Sequence, residues 1–209
     1  MPAKPGQRKR PTQERARATR EHILDTAARL FGERGIADTS TNRIATAAGV
    51  SVGTVYRYFT DRAVMVDELL ERLLETVEQQ ITHHLAGAPV DVPEKMMARV
   101  LEITTDVLVA NAPLVRALVA GVQFYSSGIP EFEPRLRILI KVMLIQMLGP
   151  GDDREYDVMS FVLINTGFAA VLRASALDVD DGQRAEAINM TARMIGRWME
   201  SEIERRPRP

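Results

Sequence analysis

Residues 48–59 read "AGVSVGTVYRYF" and crowd hydrogen-bonding tips into a short segment: the Ser51 and Thr54 hydroxyls, the Tyr56 and Tyr58 phenols and the Arg57 guanidinium. These groups suit a polyanion. A guanidinium pairs with phosphate or with guanine, hydroxyls donate to phosphate oxygens, and a threonine adds a methyl group for a thymine methyl. Gly53, without a Cβ, allows close backbone approach. None of this is bond-breaking chemistry. The chain has 1 Trp, 4 Tyr and 6 Phe, yet three of these aromatics stand in the last four positions of the segment.

Helix, tight turn and helix would position these side chains. A short helix over about Asn42–Ala48, with Thr41 as its N-cap, turns Ile44, Ala45 and Ala48 inward. Gly49 supplies a positive-φ turn residue, and Val50 plugs the turn. Ser51 caps a second short helix, about Val52–Phe59, with Val52, Val55 and Phe59 turned inward. This residue logic is that of a helix-turn-helix, whose second helix enters the DNA major groove. Thr41 and Ser51 lie at helix N-termini, which favour anions. The candidate DNA-contacting residues are Thr41, Asn42, Ser51, Val52, Gly53, Thr54, Tyr56, Arg57, Tyr58 and Arg62; Val52 is counted among them despite its inward spacing.

Charge supports the same end of the molecule. The 209 residues carry a net charge of −1, but residues 1–65 balance at +6 and the remainder at −7. A basic third on an acidic body directs one end toward a polyanion, or provides a solvated basic tail. There is no cysteine, hence no thiolate nucleophile or Cys-ligated metal, as fits a reducing cytoplasm. No apolar run approaches the roughly 18 residues of a membrane span, and the basic N-terminus has no apolar stretch of a secretory signal behind it. His22, His83 and His84 read as solvated groups rather than metal ligands. No nucleophile elbow, phosphate-cradling loop or carboxylate pair is visible. The expectation is a cytoplasmic, cofactor-free non-enzyme.

The rest of the chain is helical in period, with no strand pattern and no repeat. Residues 1–11 hold three prolines and four Lys/Arg and read as a disordered basic tail. A first helix runs over about Thr12–Arg34, stopped by Gly35. A fourth starts near Asp61, with Val66, Leu69, Leu70, Leu73, Leu74, Val77 and Ile81 in one stripe. Further helices are expected over 93–110, 112–126, 136–148, 154–174 and 183–204. The domain division is 1–11 tail, 12–60 helix-turn-helix domain, and 61–209 helical effector-binding and dimerisation domain. Residues 159–177 are apolar nearly all round and need cover on more than one side. With small residues such as Gly167, and with the stripe Ile188, Ala192, Ile195, Trp198, Met199 and Ile203 in the ninth helix, they suit either plain core or a two-fold dimer interface.

At "ILDTAARLFGERG" (23–35), "TNRIATAAGVSVGTVYRYF" (41–59) and "DRAVMVDELL" (61–70), the chain resembles the TetR family of transcriptional regulators. Arg62 stands where the family pattern usually has lysine, and Ala63 where it often has glutamate. The resemblance implies an all-α homodimer of about nine helices per chain. An N-terminal three-helix DNA-binding domain would precede a larger domain that dimerises through its last two long helices. It implies a repressor released from a palindromic operator by a small-molecule effector. A co-regulator that keeps the fold and an activator are the alternatives, and a helical enzyme is a distant third. Met97, Leu101, Thr104, Gln123, Phe124, Met143, Met147, Asn165 and Phe168 are the candidate pocket residues. A mostly apolar wall with a few polar groups is the usual look of a ligand site, although each of these side chains also suits core packing. A neutral or weakly polar, hydrophobic effector is expected, and no membrane partner.

Overall fold

The computed structural model describes residues 10–85, 93–121, 132–176 and 180–206. Within them lie nine α-helices and no strand: α1 (Arg10–Arg34), α2 (Thr41–Ala47), α3 (Val52–Tyr58), α4 (Arg62–Leu85), α5 (Pro93–Ala110), α6 (Ala112–Gly121), α7 (Phe132–Leu148), α8 (Asp153–Ala176) and α9 (Asp181–Arg205). The chain is all-α, as its periodicity predicts. Residues 10 and 11 are helical, where a disordered tail is expected, and the rest of that tail lies outside the described residues.

Ile23, Leu24, Ala27, Leu30 and Phe31 fall on one face of α1 and are buried. They form the floor under α2 and α3 together with Ile44, Ala45, Val55 and Phe59. Gly35 ends α1 at φ +83°, donating its N–H to the Phe31 carbonyl, a conformation that a Cβ would strain. Asp61 caps α4 through its side chain, which accepts from the Val64 N–H. The first half of α4 buries Met65, Val66, Leu69 and Leu73 against that floor, and its second half buries Val77 and Ile81 beside Ile103 of α5. One helix therefore serves two cores.

Arg20 fastens α1 to α4 and to the end of α3. Its guanidinium donates both ways to the Glu68 carboxylate and stacks over the Phe59 ring at 4.9 Å. Donation to the Glu68 carboxylate holds the guanidinium pKa above its ordinary value, against the opposing effect of partial burial. Arg72 adds ion pairs to Asp25 and Glu21 of α1.

The helices after α4 are built around α5, which packs on α4, α8 and α9. Close approaches rest on small residues. An added Cβ at Gly196 of α9 would lie 2.5 Å from the Glu94 Cα of α5. At Gly167 of α8, it would lie 3.3 Å from Leu101 Cδ2 of α5 and 3.9 Å from Ile195 Cδ1 of α9. Gly167 thus serves packing within the chain and is buried there. The same holds for Ile188, Ala192, Ile195 and Met199, all buried in the core. The turn between α5 and α6 bends the chain by 87°, and the Asn111 side chain closes it by donating to the Val107 carbonyl. The end of α9 is fixed on α8: Arg206 stacks over Tyr156 at 4.9 Å, donates to its hydroxyl at 2.6 Å and pairs with Glu155 at 3.0 Å.

Against the sequence expectation, α8 is long and apolar enough by composition to cross a bilayer, the one single described helix that is. It contacts α5, α6, α7 and α9, and its termini are charged: Lys141 of α7 holds Asp153 at 2.7 Å and Asp157 at 2.8 Å. Its apolar residues fall into two sets. Tyr156, Met159, Leu163, Ile164 and Val171 are buried, whereas Val158, Phe161 and Val162 stay exposed. Met190 and Met194 of α9 are likewise exposed.

Candidate functional site

The α2–α3 unit owes its shape to caps and one glycine. Ser40 caps α2, its Oγ accepting from the Arg43 N–H at 3.2 Å. The expected cap, Thr41, is instead the first residue of the helix. Gly49 turns the chain at φ +67°. The Val50 N–H donates back to the Ala45 carbonyl at 3.0 Å, which folds the turn onto α2. Ser51 caps α3 as expected: its Oγ accepts from the Thr54 N–H at 3.1 Å. Each such cap contributes about 1 kcal/mol. Val55 and Phe59 are fully buried beneath α3, worth about 1.5–3 kcal/mol each. His22, expected to be merely solvated, lies with Nε2 3.1 Å from the Ala48 carbonyl and ties α1 to the end of α2.

With its inner face fixed in this way, α3 presents the other to solvent. Tyr56 is 52% exposed, and Arg57 and Gly53 are exposed as well. An added Cβ at Gly53 would meet nothing nearer than the Ser51 Oγ at 3.9 Å. Internal packing therefore does not require this glycine, and its bare surface faces outward. The Ser51 and Thr54 hydroxyls sit 2.8 Å apart. Arg57 lies over the Tyr58 ring at 5.0 Å. Tyr58 is half-buried and packs against the core, so it acts partly as a platform for Arg57. Val52 is 37% exposed, not turned inward, because it stands in the first turn beyond the edge of α2. Asn42 is exposed on α2.

Arg62 behaves differently from the rest. Its Nη1 donates to the carbonyls of Ile36, Ala37 and Thr39 at 2.8, 2.9 and 3.0 Å. These three carbonyls belong to the α1–α2 turn, where the buried Thr39 hydroxyl also donates to the Gly35 carbonyl. In this structure Arg62 is a positioning residue for α2.

Between α4, α5, α7 and α8 lies a cavity of about 480 Å³, within the range of roughly 300–1,000 Å³ usual for small-molecule sites. Met97, Leu101, Thr104, Met143 and Phe168 line it. Met147 and Asn165 do not. Met147 packs on the core, and Asn165 is exposed, its side-chain N–H donating to the Phe161 carbonyl. Gln123 and Phe124 lie outside the described residues. The α4 wall, with Val77 and Ile81, was not expected from the sequence, because an apolar stripe reads the same whether it faces a core or a cavity.

The comparisons bear on the N-terminal part. Residues 23–69 match the model for bacterial regulatory proteins of the tetR family. Over this stretch the chain is similar to the TetR family. The TetR-family match spans the whole α2–turn–α3 unit and the start of α4. The chain is 38% identical over 98 residues to the HTH-type transcriptional regulator AcrR of Shigella flexneri, covering 46% of each chain. It is 42% identical over 79 residues to the HTH-type transcriptional regulator TtgR of Pseudomonas putida, covering 38% of this chain and 35% of that one. The chain thus spans less than half the length of these curated relatives. The TetR fold itself extends further. A tetR-family transcriptional regulator from Streptomyces coelicolor superposes with a TM-score of 0.66 at 19% identity, over 90% of this chain and 88% of that one.

Proposed function

We propose that this chain is a DNA-binding transcriptional regulator that works as a homodimer and represses until a small molecule releases it from its operator. The observation that carries the reading is the split of α3. Val55 and Phe59 are fully buried, and Tyr56, Arg57 and Gly53 face outward next to the Ser51 and Thr54 hydroxyls. Such a face meets phosphates and base edges in a major groove. The exposed apolar residues of α8 and α9 favour a two-fold pairing of chains through those helices, placing two α3 helices on half-sites about 34 Å apart. A bilayer is the poorer partner for that face, since charged residues flank it on α8 and α9. DNA in the cytoplasm is its target.

Release follows from linkage. A ligand changes DNA affinity only if it binds the DNA-competent and the released states with different affinity. Because α4 carries one wall of the cavity and one wall of the DNA-binding core, it is the element through which that difference is transmitted.

The test is fluorescence anisotropy on the DNA upstream of the protein's own gene, against scrambled DNA, at two salt concentrations. Selective binding with a steep salt dependence is expected. Arg57→Ala should lower the selective component and leave the fold intact. Equal affinity of variant and wild type for the operator would remove α3 from the recognition face.

A further inference from the structure

The cavity wall separates two kinds of surface. Its buried lining residues are apolar apart from Thr104, and the Thr104 hydroxyl already donates to the Val100 carbonyl at 2.8 Å. A polar group pushed into that interior would lose its water without regaining a donor, which is costly. The exposed lining residues are of another kind: Val142 alone is apolar, Thr82 and Gln146 are neutral and polar, and the rest are ionisable. Among the described residues, the ionisable side chains lining the cavity are His84 at the end of α4 and Lys95 and Arg99 near the start of α5. All three are basic. Lys95 and Arg99 are four positions apart on one helix, so they stand on the same face.

Among the described residues, the carboxylates next to these two on α5 do not cancel this charge. Glu94 backs onto Gly196 of α9, with Glu94 Cβ 2.7 Å from the place of an added glycine Cβ, and so sits on the side of α5 away from the cavity. Glu102 approaches Arg99 only to 3.7 Å, with both side chains about half exposed (48% and 51%), a contact of little strength. No Asp or Glu lines the cavity among the described residues.

We infer that the cavity takes an amphipathic monoanion: an aliphatic body in the interior and a single carboxylate at the rim, held by Lys95 and Arg99. This rests on the reading of the cavity as the effector site and replaces the neutral or weakly polar effector expected from the sequence with a charged one. A carboxylate paired with a guanidinium and an ammonium gains charge-assisted hydrogen bonds, and the aliphatic body gains from burial in proportion to its area.

The experiment is titration calorimetry of the full chain with decanoate, 1-decanol and decylamine, which share a body and differ in head group. Decanoate should bind about five- to tenfold tighter than either of the others. In a Lys95→Met/Arg99→Met variant, decanoate should fall to the affinity of 1-decanol, and 1-decanol should be unchanged. Both positions are exposed, so the melting temperature of the variant serves as a folding control. Binding of 1-decanol or decylamine as tight as that of decanoate would overturn the anion and leave the cavity as a ligand site. Absence of binding by all three would overturn both. Decanoate binding that is lost in the variant but never alters operator anisotropy would uphold this inference and sink the ligand-released repressor.

Discussion

The Thr41 hydroxyl, on the first residue of α2, lies 3.2 Å from the Tyr56 hydroxyl on the outer face of α3. The two helices of the helix-turn-helix are thus joined on their solvent side as well as through the core beneath. The phenol is held at one end of the candidate recognition face and keeps hydrogen-bonding capacity for a partner. A stiff ring fixed in this way loses little rotamer freedom when it meets a phosphate.

Tyr56→Phe should therefore act on binding more than on folding. The ring is kept, and one exposed hydrogen bond to Thr41 is lost, so the melting temperature should stay within about 2 °C of wild type. Operator affinity should fall about three- to tenfold, the value of one hydrogen bond. Anisotropy with the specific and the scrambled duplex checks this. A uniform loss on both would assign the phenol to phosphate, and a loss confined to the operator would assign it to a base edge.

Arg62→Ala should behave in the reverse order. Three carbonyls of the α1–α2 turn lose their common donor, and turn carbonyls left without it must find water or move. A destabilisation of about 1.5–3 kcal/mol is expected, measured by urea unfolding with the slope unchanged. Arg62→Lys should recover part of that stability, because an ammonium offers three protons to the same carbonyls but on a side chain one atom shorter. If Arg62→Ala keeps full stability and loses only DNA affinity, Arg62 is a phosphate contact after all.

The helix-turn-helix was legible because its determinants are local. Ser51 as cap, Gly49 as the positive-φ residue, and the spacing of Ile44, Ala45, Val55 and Phe59 all lie within sixteen residues. The N-cap of α2 was misassigned by one position because Ser40 and Thr41 are adjacent hydroxyl residues, and either can cap. The larger domain was legible as helices and not as surfaces. Both faces of α8 and α9 carry apolar residues, so the inward stripe of α9 and its exposed Met190 and Met194 could not be assigned without knowing where α5 runs. For Gly167 the sequence allows plain core as well as a partner's helix, and the structure sets Leu101 against it. The cavity lies where four helices from distant parts of the chain converge, and no single stripe reports a gap between them. The rim charge was missed for a related reason: Lys95 and Arg99 look like ordinary solvated helix residues until α4 ends beside them.

Phe161→Glu and Met194→Glu should each shift the dimer to monomer without unfolding it. Both side chains are about half exposed on the faces of α8 and α9 that no described helix covers (50% and 56%). A charge there is solvated in a monomer and buried without a partner in a dimer. Sedimentation velocity reads the change, and circular dichroism reads the retained helix. Gly167→Arg should instead lower helix content and stability together, because an added Cβ would stand 3.3 Å from Leu101 Cδ2 and a guanidinium there would be buried in apolar surroundings. A dimer unaffected by either glutamate would move the interface to another face.

Gly32 offers a check on how the two domains are joined. It lies on α1 where α6 crosses, and an added Cβ would stand 2.8 Å from Pro113 Cβ and 3.2 Å from the Leu114 backbone N. Neither neighbour is the end of a flexible chain: one belongs to a proline ring and the other to the helix backbone. Gly32→Ala gains about 1 kcal/mol of helix propensity and costs about 1–3 kcal/mol of overpacking. The net expectation is destabilisation of about 1 kcal/mol, a fall of a few degrees in melting temperature. The greater consequence should be for coupling. Separating α1 from α6 changes the relation between the DNA-binding unit and the domain that holds the cavity, so the ratio of operator affinities with and without bound ligand should change even where the affinity of the free protein does not. Thermal unfolding gives the first quantity and paired anisotropy titrations the second. A variant more stable than wild type, with the ratio unchanged, would mean that α1 and α6 do not meet this closely in solution.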